Sequence, residues 1–215
     1  MNAFNESDAE KLIKCVKENT KGILANLDRE AIDVYRFLIS EFRKGDVSKN
    51  YLFQFVFRSY YRLDNAGLTP EFKSRYFELM EEKRDNQSIG IKDLLLELEK
   101  YPRIKENKKN QKKGSFQFSF VSKLLNTVDP EFPIYDSKVS KAIVGSAYNP
   151  AGTFDHKFNV YQSRHKVIRK TYSYILDRKS FKSLLSDFDE FFPDNGLSDL
   201  KKLDFIFWSY GKTIE

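Results

Sequence analysis

Apolar residues recur at helical spacing along almost the whole chain. Between residues 31 and 42 they follow the i, i+3, i+4, i+7 pattern of a helix that buries one face. The same spacing returns in stretches that begin near residues 70, 91, 161 and 198, with Thr69 and Ser198 as the predicted N-caps of the first and last of these. The stretch near 161 includes His165, which we expect to be a core histidine. Since strand-type alternation is not sustained anywhere, the sequence predicts an all-α protein of about nine or ten helices.

The segment from Tyr51 to Leu63 predicts a helix with aromatic residues on both faces. A helix that is apolar all round is usually a central helix packed on two sides, and we adopt that interpretation. The alternative is that its second face is a surface on which bases stack and phosphates bind. At 100° per residue, that second face comprises Tyr51, Phe55, Arg58 and Arg62.

The composition fits a folded chain with one large domain or two small ones. Its 215 residues, of which 40% are hydrophobic and 15% aromatic, supply a core and exclude disorder over most of the length. No stretch approaches the roughly 18 apolar residues of a membrane span, and the first residues lack the apolar core of a signal peptide. We therefore expect a cytoplasmic protein with no membrane partner. With one cysteine and two histidines, we expect no metal site and no cofactor.

Positive charge is concentrated in one segment. The net charge of +6 is compatible with a polyanionic partner but is common in proteins that bind none. Six basic residues and a single acid, Glu106, lie between Tyr101 and Lys113, either in a solvated loop or in a nucleic-acid contact. This run also marks a predicted boundary between an N-terminal helical part, 1–100, and a second part, 101–215, with one continuous domain as the alternative.

The segment from Lys112 to Ile143 combines a glycine turn, a helix, a loop that ends in proline, and an aspartate at the start of another helix. It resembles the core of the helix-hairpin-helix DNA glycosylases, whose hairpin glycine leads into a helix and, after a loop, into an Asp-Thr/Ser-x-Val helix start. The closing residues Leu203 to Lys212 and the all-helical layout are similar to the 8-oxoguanine DNA glycosylase-like branch. The matching elements are Gly114, a helix near 115–127, Pro133 and Asp136-Ser137-Lys138-Val139.

The resemblance implies a helix-hairpin-helix glycosylase-like orthogonal helical fold. It also implies an enzyme that removes a damaged base, of the 8-oxoguanine type, from duplex DNA. It implies that Asp136 is the catalytic carboxylate. Chemically, a carboxylate beside the deoxyribose can stabilise the oxocarbenium-like sugar as the base leaves, and it can orient or deprotonate the attacking water. Taken alone, however, an aspartate at a helix start is often only the N-cap of that helix.

Nucleic-acid-binding residues are predicted around the glycine turn. A tight turn at Gly114 would let backbone N–H groups approach a phosphate, and the neighbouring lysines add positive charge there. Gln117 falls within the apolar arc of its helix, where it either hydrogen-bonds a flipped base or lies before the first helical turn and binds the hairpin backbone. The predicted contact residues are Lys112, Lys113, Gly114, Ser115, Lys138 and Gln117.

The chain departs from the family pattern at the nucleophile. Bifunctional members carry a lysine about eighteen residues before the aspartate, where this sequence has Phe118, and the second hairpin glycine is also missing. Lys123 is the candidate substitute, at the edge of the polar face of its helix. Its amine can form a Schiff base with the sugar or extend into water. The alternatives to a glycosylase, with or without lyase activity, are a catalytically inactive helix-hairpin-helix module that binds nucleic acid and a helical interaction protein.

Overall fold

Helices make up the regular structure of residues 3–102 and 116–214, the part of the chain that this computed structural model describes. No strand occurs in that part, so the prediction of an all-α protein is confirmed. The helix-hairpin-helix arrangement stays a prediction, because Gly114 lies outside the described residues. The helices are α1 Glu6–Glu18, α2 Thr20–Ala25, α3 Arg29–Lys44, α4 Tyr51–Tyr60, α5 Pro70–Asp85, α6 Ile91–Glu99, α7 Phe118–Val128, α8 Ser137–Val144, α9 Phe154–Asp177, α10 Lys182–Phe191 and α11 Asp199–Thr213, with a 3-10 turn at Asp64–Ala66.

Polar side chains fix the starts of several helices. Thr69 and Ser198, both predicted caps, accept hydrogen bonds from the first-turn N–H groups of α5 and α11 at 3.2 and 3.3 Å. Pro70 follows Thr69 at the first helical position, where its missing N–H costs nothing. Asn5, Asn50, Asp136 and Thr153 cap α1, α4, α8 and α9 in the same way.

The chain forms two compact units. The first contains the residues up to 33 together with those from 133 onward, and the second contains residues 34–132. The predicted boundary near residue 101 therefore falls within the second unit. The first unit is discontinuous in sequence because α2, near the N-terminus, packs against α11, near the C-terminus.

In the second unit, α7 is the helix that other helices surround. Nine of its eleven residues are buried, and α5 and α6 pack against it. The buried Tyr76 of α5 donates a hydrogen bond from its hydroxyl to the carbonyl of Phe120, at 2.7 Å. This hydrogen bond therefore fixes the register of α5 against α7.

The expectation that α4 packs against other elements on two sides is wrong. One face packs inward through Phe53 and Phe57, whose rings lie 6.0 and 5.5 Å from that of Phe77. The other face is open, with Tyr51, Leu52 and Phe55 exposed by 80%, 64% and 61%. Periodicity identifies two apolar faces on such a helix, but it does not say which of them another element will cover.

In the first unit, the central helix is α11. α8 packs along it, and α2, α9 and α10 contact it as well. The rings of Tyr172 on α9 and Phe207 on α11 stack with their centroids 5.6 Å apart. Every residue from Lys201 to Phe207 is buried, although this run includes two lysines and an aspartate. Those three charged side chains consequently need partners inside the unit.

Gly211 lets α8 lie directly against α11. A side chain at this position would place its Cβ 2.6 Å from the carbonyl carbon of Lys138 and would overlap the carbonyl oxygen. The atoms in the way are backbone atoms of the first turn of α8, which cannot rotate aside. The absence of a side chain at Gly211 therefore sets the distance between the two helices at the start of α8.

We predict that Gly211→Ala lowers the free energy of unfolding by about 2 kcal/mol or more, because α8 must move away from α11. Gly22→Ala is the matched control, since Gly22 is exposed in α2 and an added Cβ has no atom within 4 Å. In this control the free energy of unfolding should rise by up to about 1 kcal/mol, because alanine has a better helix propensity than glycine. Urea unfolding of the three proteins measures both effects, and equal stability of Gly211→Ala and wild type would contradict the close-packing argument.

Candidate functional site

Asp136 is the N-cap of α8. Its backbone is extended, and its Oδ1 accepts a hydrogen bond from the backbone N–H of Lys138 at 2.9 Å. The positive end of the helix dipole also stabilises the carboxylate charge. Oδ2 accepts no hydrogen bond from any described residue, and the side chain is half-buried. One oxygen of Asp136 is thus fixed by the cap, and the other has no hydrogen-bond partner among the described residues.

The loop that leads into Asp136 is bound to buried polar side chains. The carbonyl of Pro133 lies 2.7 Å from Nε2 of His165 on α9. The next residue, Ile134, donates its N–H to Oδ2 of Asp204 on α11, at 3.4 Å. Both side-chain partners are buried, so the backbone just before the cap is held by two helices of its own unit.

Asp204 is a buried acid whose carboxylate oxygens contact three donor groups. The hydroxyl of Tyr172 donates to Oδ1 at 3.0 Å, and Ile134 N–H and the Lys201 ammonium reach Oδ2, the latter at 3.5 Å. Burial raises the pKa of Asp204 and lowers the pKa of Lys201, and the attraction within the pair opposes both shifts. This cluster connects α9, α11 and the loop before α8.

His165 is neutral in this setting. Burial disfavours the imidazolium and lowers the pKa of His165 to about 4, outweighing the hydrogen bond to Pro133, which acts in the opposite direction. The neutral ring donates its Nε2–H to that carbonyl. The expectation of a core histidine with satisfied hydrogen bonds is confirmed for His165.

The predicted contact residues are distributed over both units. Lys138 lies half-buried in the first turn of α8, in the same unit as Asp136. Gln117 belongs to the second unit and precedes α7, with its carbonyl accepting the N–H of Val121 at 3.0 Å. It therefore lies before the first helical turn, as one of the two interpretations had it. Lys112, Lys113, Gly114 and Ser115 lie outside the described residues.

Lys123 is buried in the middle of α7. Its side chain is only 8% exposed, and its Nζ lies 5.0 Å from the ring centroid of Phe120 and 5.4 Å from that of Tyr61. The electron-rich faces of these rings stabilise an ammonium group. The expected location at the edge of a polar face is wrong, because residues on every side of α7 are buried.

Sequence reasoning did not identify Asp204 as a partner of the loop. A signal was present, since a charged residue within the apolar stretch 203–210 has to be paired if that helix is buried. Its partner Ile134 lies 70 residues earlier. No local pattern reveals a contact between a side chain and a backbone N–H at that separation.

Within the described residues, no group of three or more His, Cys, Asp or Glu side chains is placed to hold a metal ion. The described helices include none with the length and apolar character needed to cross a membrane. Comparison with protein families, curated proteins and solved structures found no match to this chain.

We predict a pH dependence of stability that originates at His165. The pKa of His165 is about 4 in the folded protein against an ordinary 6.5, so between these pH values only the unfolded chain binds the proton. The contribution of His165 to the free energy of unfolding is therefore complete above pH 6.5 and is lost as the pH falls toward 4. This loss amounts to about 3 kcal/mol over that interval. Urea unfolding between pH 4 and 7 measures it.

The matched variants are His165→Gln and His156→Gln. Glutamine at 165 keeps an N–H donor but does not titrate, so the slope of unfolding free energy with pH should decrease. His156 is exposed, and its replacement should leave the wild-type slope. A wild-type slope in His165→Gln would show that this imidazole is not the source.

Proposed function

We propose that this chain is a DNA glycosylase-like protein of base-excision repair, in which Asp136 acts on the deoxyribose of a damaged base. Lesions of the 8-oxoguanine type are the first substrates to test. The observation that carries the proposal is the carboxylate of Asp136, half-buried and held at a helix start with one oxygen free of described partners. Such a group is preorganised for a developing positive charge.

This carboxylate has two roles in the proposed reaction. When the N-glycosidic bond breaks, its electrons leave with the base and the sugar becomes oxocarbenium-like, so a fixed negative charge beside the sugar lowers the barrier. Water then attacks the sugar carbon and gives up a proton, which a carboxylate oxygen accepts. Oδ2 of Asp136 is the atom suited to both steps, because Oδ1 is held by the N–H of Lys138.

The packing of the first unit supports the proposal in a second way. The two segments that resemble the glycosylases, Pro133 to Val139 and Leu203 to Lys212, touch each other at two points. Asp204 accepts a hydrogen bond from the N–H of Ile134, and Gly211 packs against the backbone carbonyl of Lys138. Residues far apart in sequence thus build one structure around Asp136.

We predict that Asp136→Asn reduces base release from a lesion-containing duplex at least about 100-fold while duplex binding is retained. Asparagine is as good an N-cap as aspartate, so this variant removes the charge and keeps the helix start. Asp155→Asn is the matched control, since Asp155 is exposed in the first turn of α9. The measurements are single-turnover base release and anisotropy with the same oligonucleotide.

Two outcomes would count against the proposal. Equal base release by Asp136→Asn and wild type would remove Asp136 from the reaction. Salt-dependent DNA binding by the wild-type protein without base release from any oxidised-base duplex would favour the inactive nucleic-acid-binding module.

We expect the reaction to be hydrolytic and to form no Schiff base. The amine of Lys123 is buried in the middle of α7 against two aromatic rings, whereas a nucleophile has to reach the sugar carbon that it attacks. Borohydride treatment during turnover should therefore trap no covalent protein–DNA adduct. A trapped adduct in the wild type that disappears in Lys123→Met would contradict this and assign the nucleophile to Lys123.

A further inference from the structure

Tyr148 is an exposed aromatic residue that one buried side chain holds in place. It lies in the loop 145–153, between α8 and α9, and is 64% exposed. The guanidinium carbon of Arg164 lies 4.3 Å from the centroid of its ring. Nη1 of Arg164 also donates to the carbonyl of Tyr148 at 2.8 Å. The ring and the backbone of this residue are therefore fixed by the same guanidinium.

Arg164 is a buried cation with neutral partners. It is only 6% exposed, and its guanidinium donates to the hydroxyls of Tyr135 and Ser146, each at 3.4 Å. The ring of Tyr161 lies 5.8 Å from the guanidinium carbon. None of the described carboxylates pairs with Arg164. Hydroxyl and carbonyl dipoles and aromatic faces stabilise this charge but do not neutralise it, so a net positive charge lies beneath the ring of Tyr148.

The loop that carries Tyr148 is tied to the first turn of α8. The carbonyl of Ser146 accepts a hydrogen bond from the hydroxyl of Ser140 at 2.6 Å. Ser140 in turn donates its backbone N–H to the carbonyl of Asp136 at 2.8 Å. Four helical residues rise by about 6 Å. A short chain of hydrogen bonds thus connects the loop of Tyr148 to the residue that caps α8.

We infer that Tyr148 is a stacking platform for a nucleobase, with Arg164 as its support. One face of the ring rests on the guanidinium, and the exposed part of the ring can stack on the π-face of a base. The ring is already immobilised, so stacking costs little conformational entropy. This inference rests on the proposed function, since it assigns the base to Tyr148 and the sugar to Asp136.

The charge of Arg164 also selects among bases. A neutral base stacks on a ring whose other face carries a cation, because the cation withdraws electron density from the ring. A base that carries a positive charge, such as an N-alkylated adenine, is repelled by the same guanidinium. The platform therefore favours neutral over cationic bases.

The experiment measures the contribution of a single base to binding. Three fluorescein-labelled duplexes differ at one position, which holds an unpaired adenine, an abasic site or an unpaired 1-methyladenine, and anisotropy gives Kd for each. We expect wild type to bind the adenine duplex about 10-fold more tightly than the abasic duplex. The 1-methyladenine duplex should bind more weakly than the adenine duplex.

Three variants test the residue itself. Tyr148→Ala should abolish the preference for adenine over the abasic site, and Tyr148→Phe should keep it because the ring is retained. Phe191→Ala is the matched control, since Phe191 is an aromatic residue of α10 in the same unit that is 54% exposed and should not affect the preference.

The outcomes separate this inference from the proposed function. A full adenine preference in Tyr148→Ala, or none in wild type, would overturn the stacking platform, while base release that depends on Asp136 would still stand. Loss of the preference in Phe191→Ala as well would also overturn it, because the effect would not belong to Tyr148. Failure of wild type to bind any of the duplexes would overturn both proposals.

Discussion

The buried carboxylate of Asp204 is the interaction on which the candidate site depends. It joins α11 to α9 through the hydroxyl of Tyr172, and it joins both helices to the loop before α8 through the N–H of Ile134. A buried ion pair such as that with Lys201 adds little net stability, yet loss of one partner leaves an uncompensated charge in the core. Movement of the loop would break the hydrogen bond from Ile134 to this buried carboxylate and leave a buried polar group without that partner, which costs free energy and so constrains the position of Asp136.

A cap and a catalytic carboxylate are compatible roles for one side chain. The cap engages Oδ1 of Asp136 with the N–H of Lys138 and leaves Oδ2 without a hydrogen-bond partner among the described residues. Capping also fixes the side-chain torsions, which a mobile surface carboxylate would have to fix during the reaction. The backbone of Lys138 is in turn held against Gly211 of α11. A glycine on one helix thus contributes to the orientation of an acid on another.

The sequence predicted those features that depend on local spacing. Helical periodicity and the caps Thr69 and Ser198 define real helices, and the aspartate at the start of α8 is real as well. The choice of central helix was wrong, because α4 is half open whereas α7 is buried on all sides. Lys123 was misplaced for the same reason, since a helical wheel assigns a polar face without knowing which faces become covered. The partners of Asp204 required the tertiary structure, because they come from three separate elements.

A single turn of α9 sets the geometry on both sides of α8. Arg164 and His165 are adjacent residues, and at 100° per residue they point in different directions. His165 holds the carbonyl of Pro133 before α8, and Arg164 holds the carbonyl of Tyr148 after it. The loop before Asp136 and the loop that contains Tyr148 are therefore both hydrogen-bonded to the same short segment of α9. The spacing of Asp136 and Tyr148 is consequently a property of α9, which explains how two irregular loops can present groups at a constant separation.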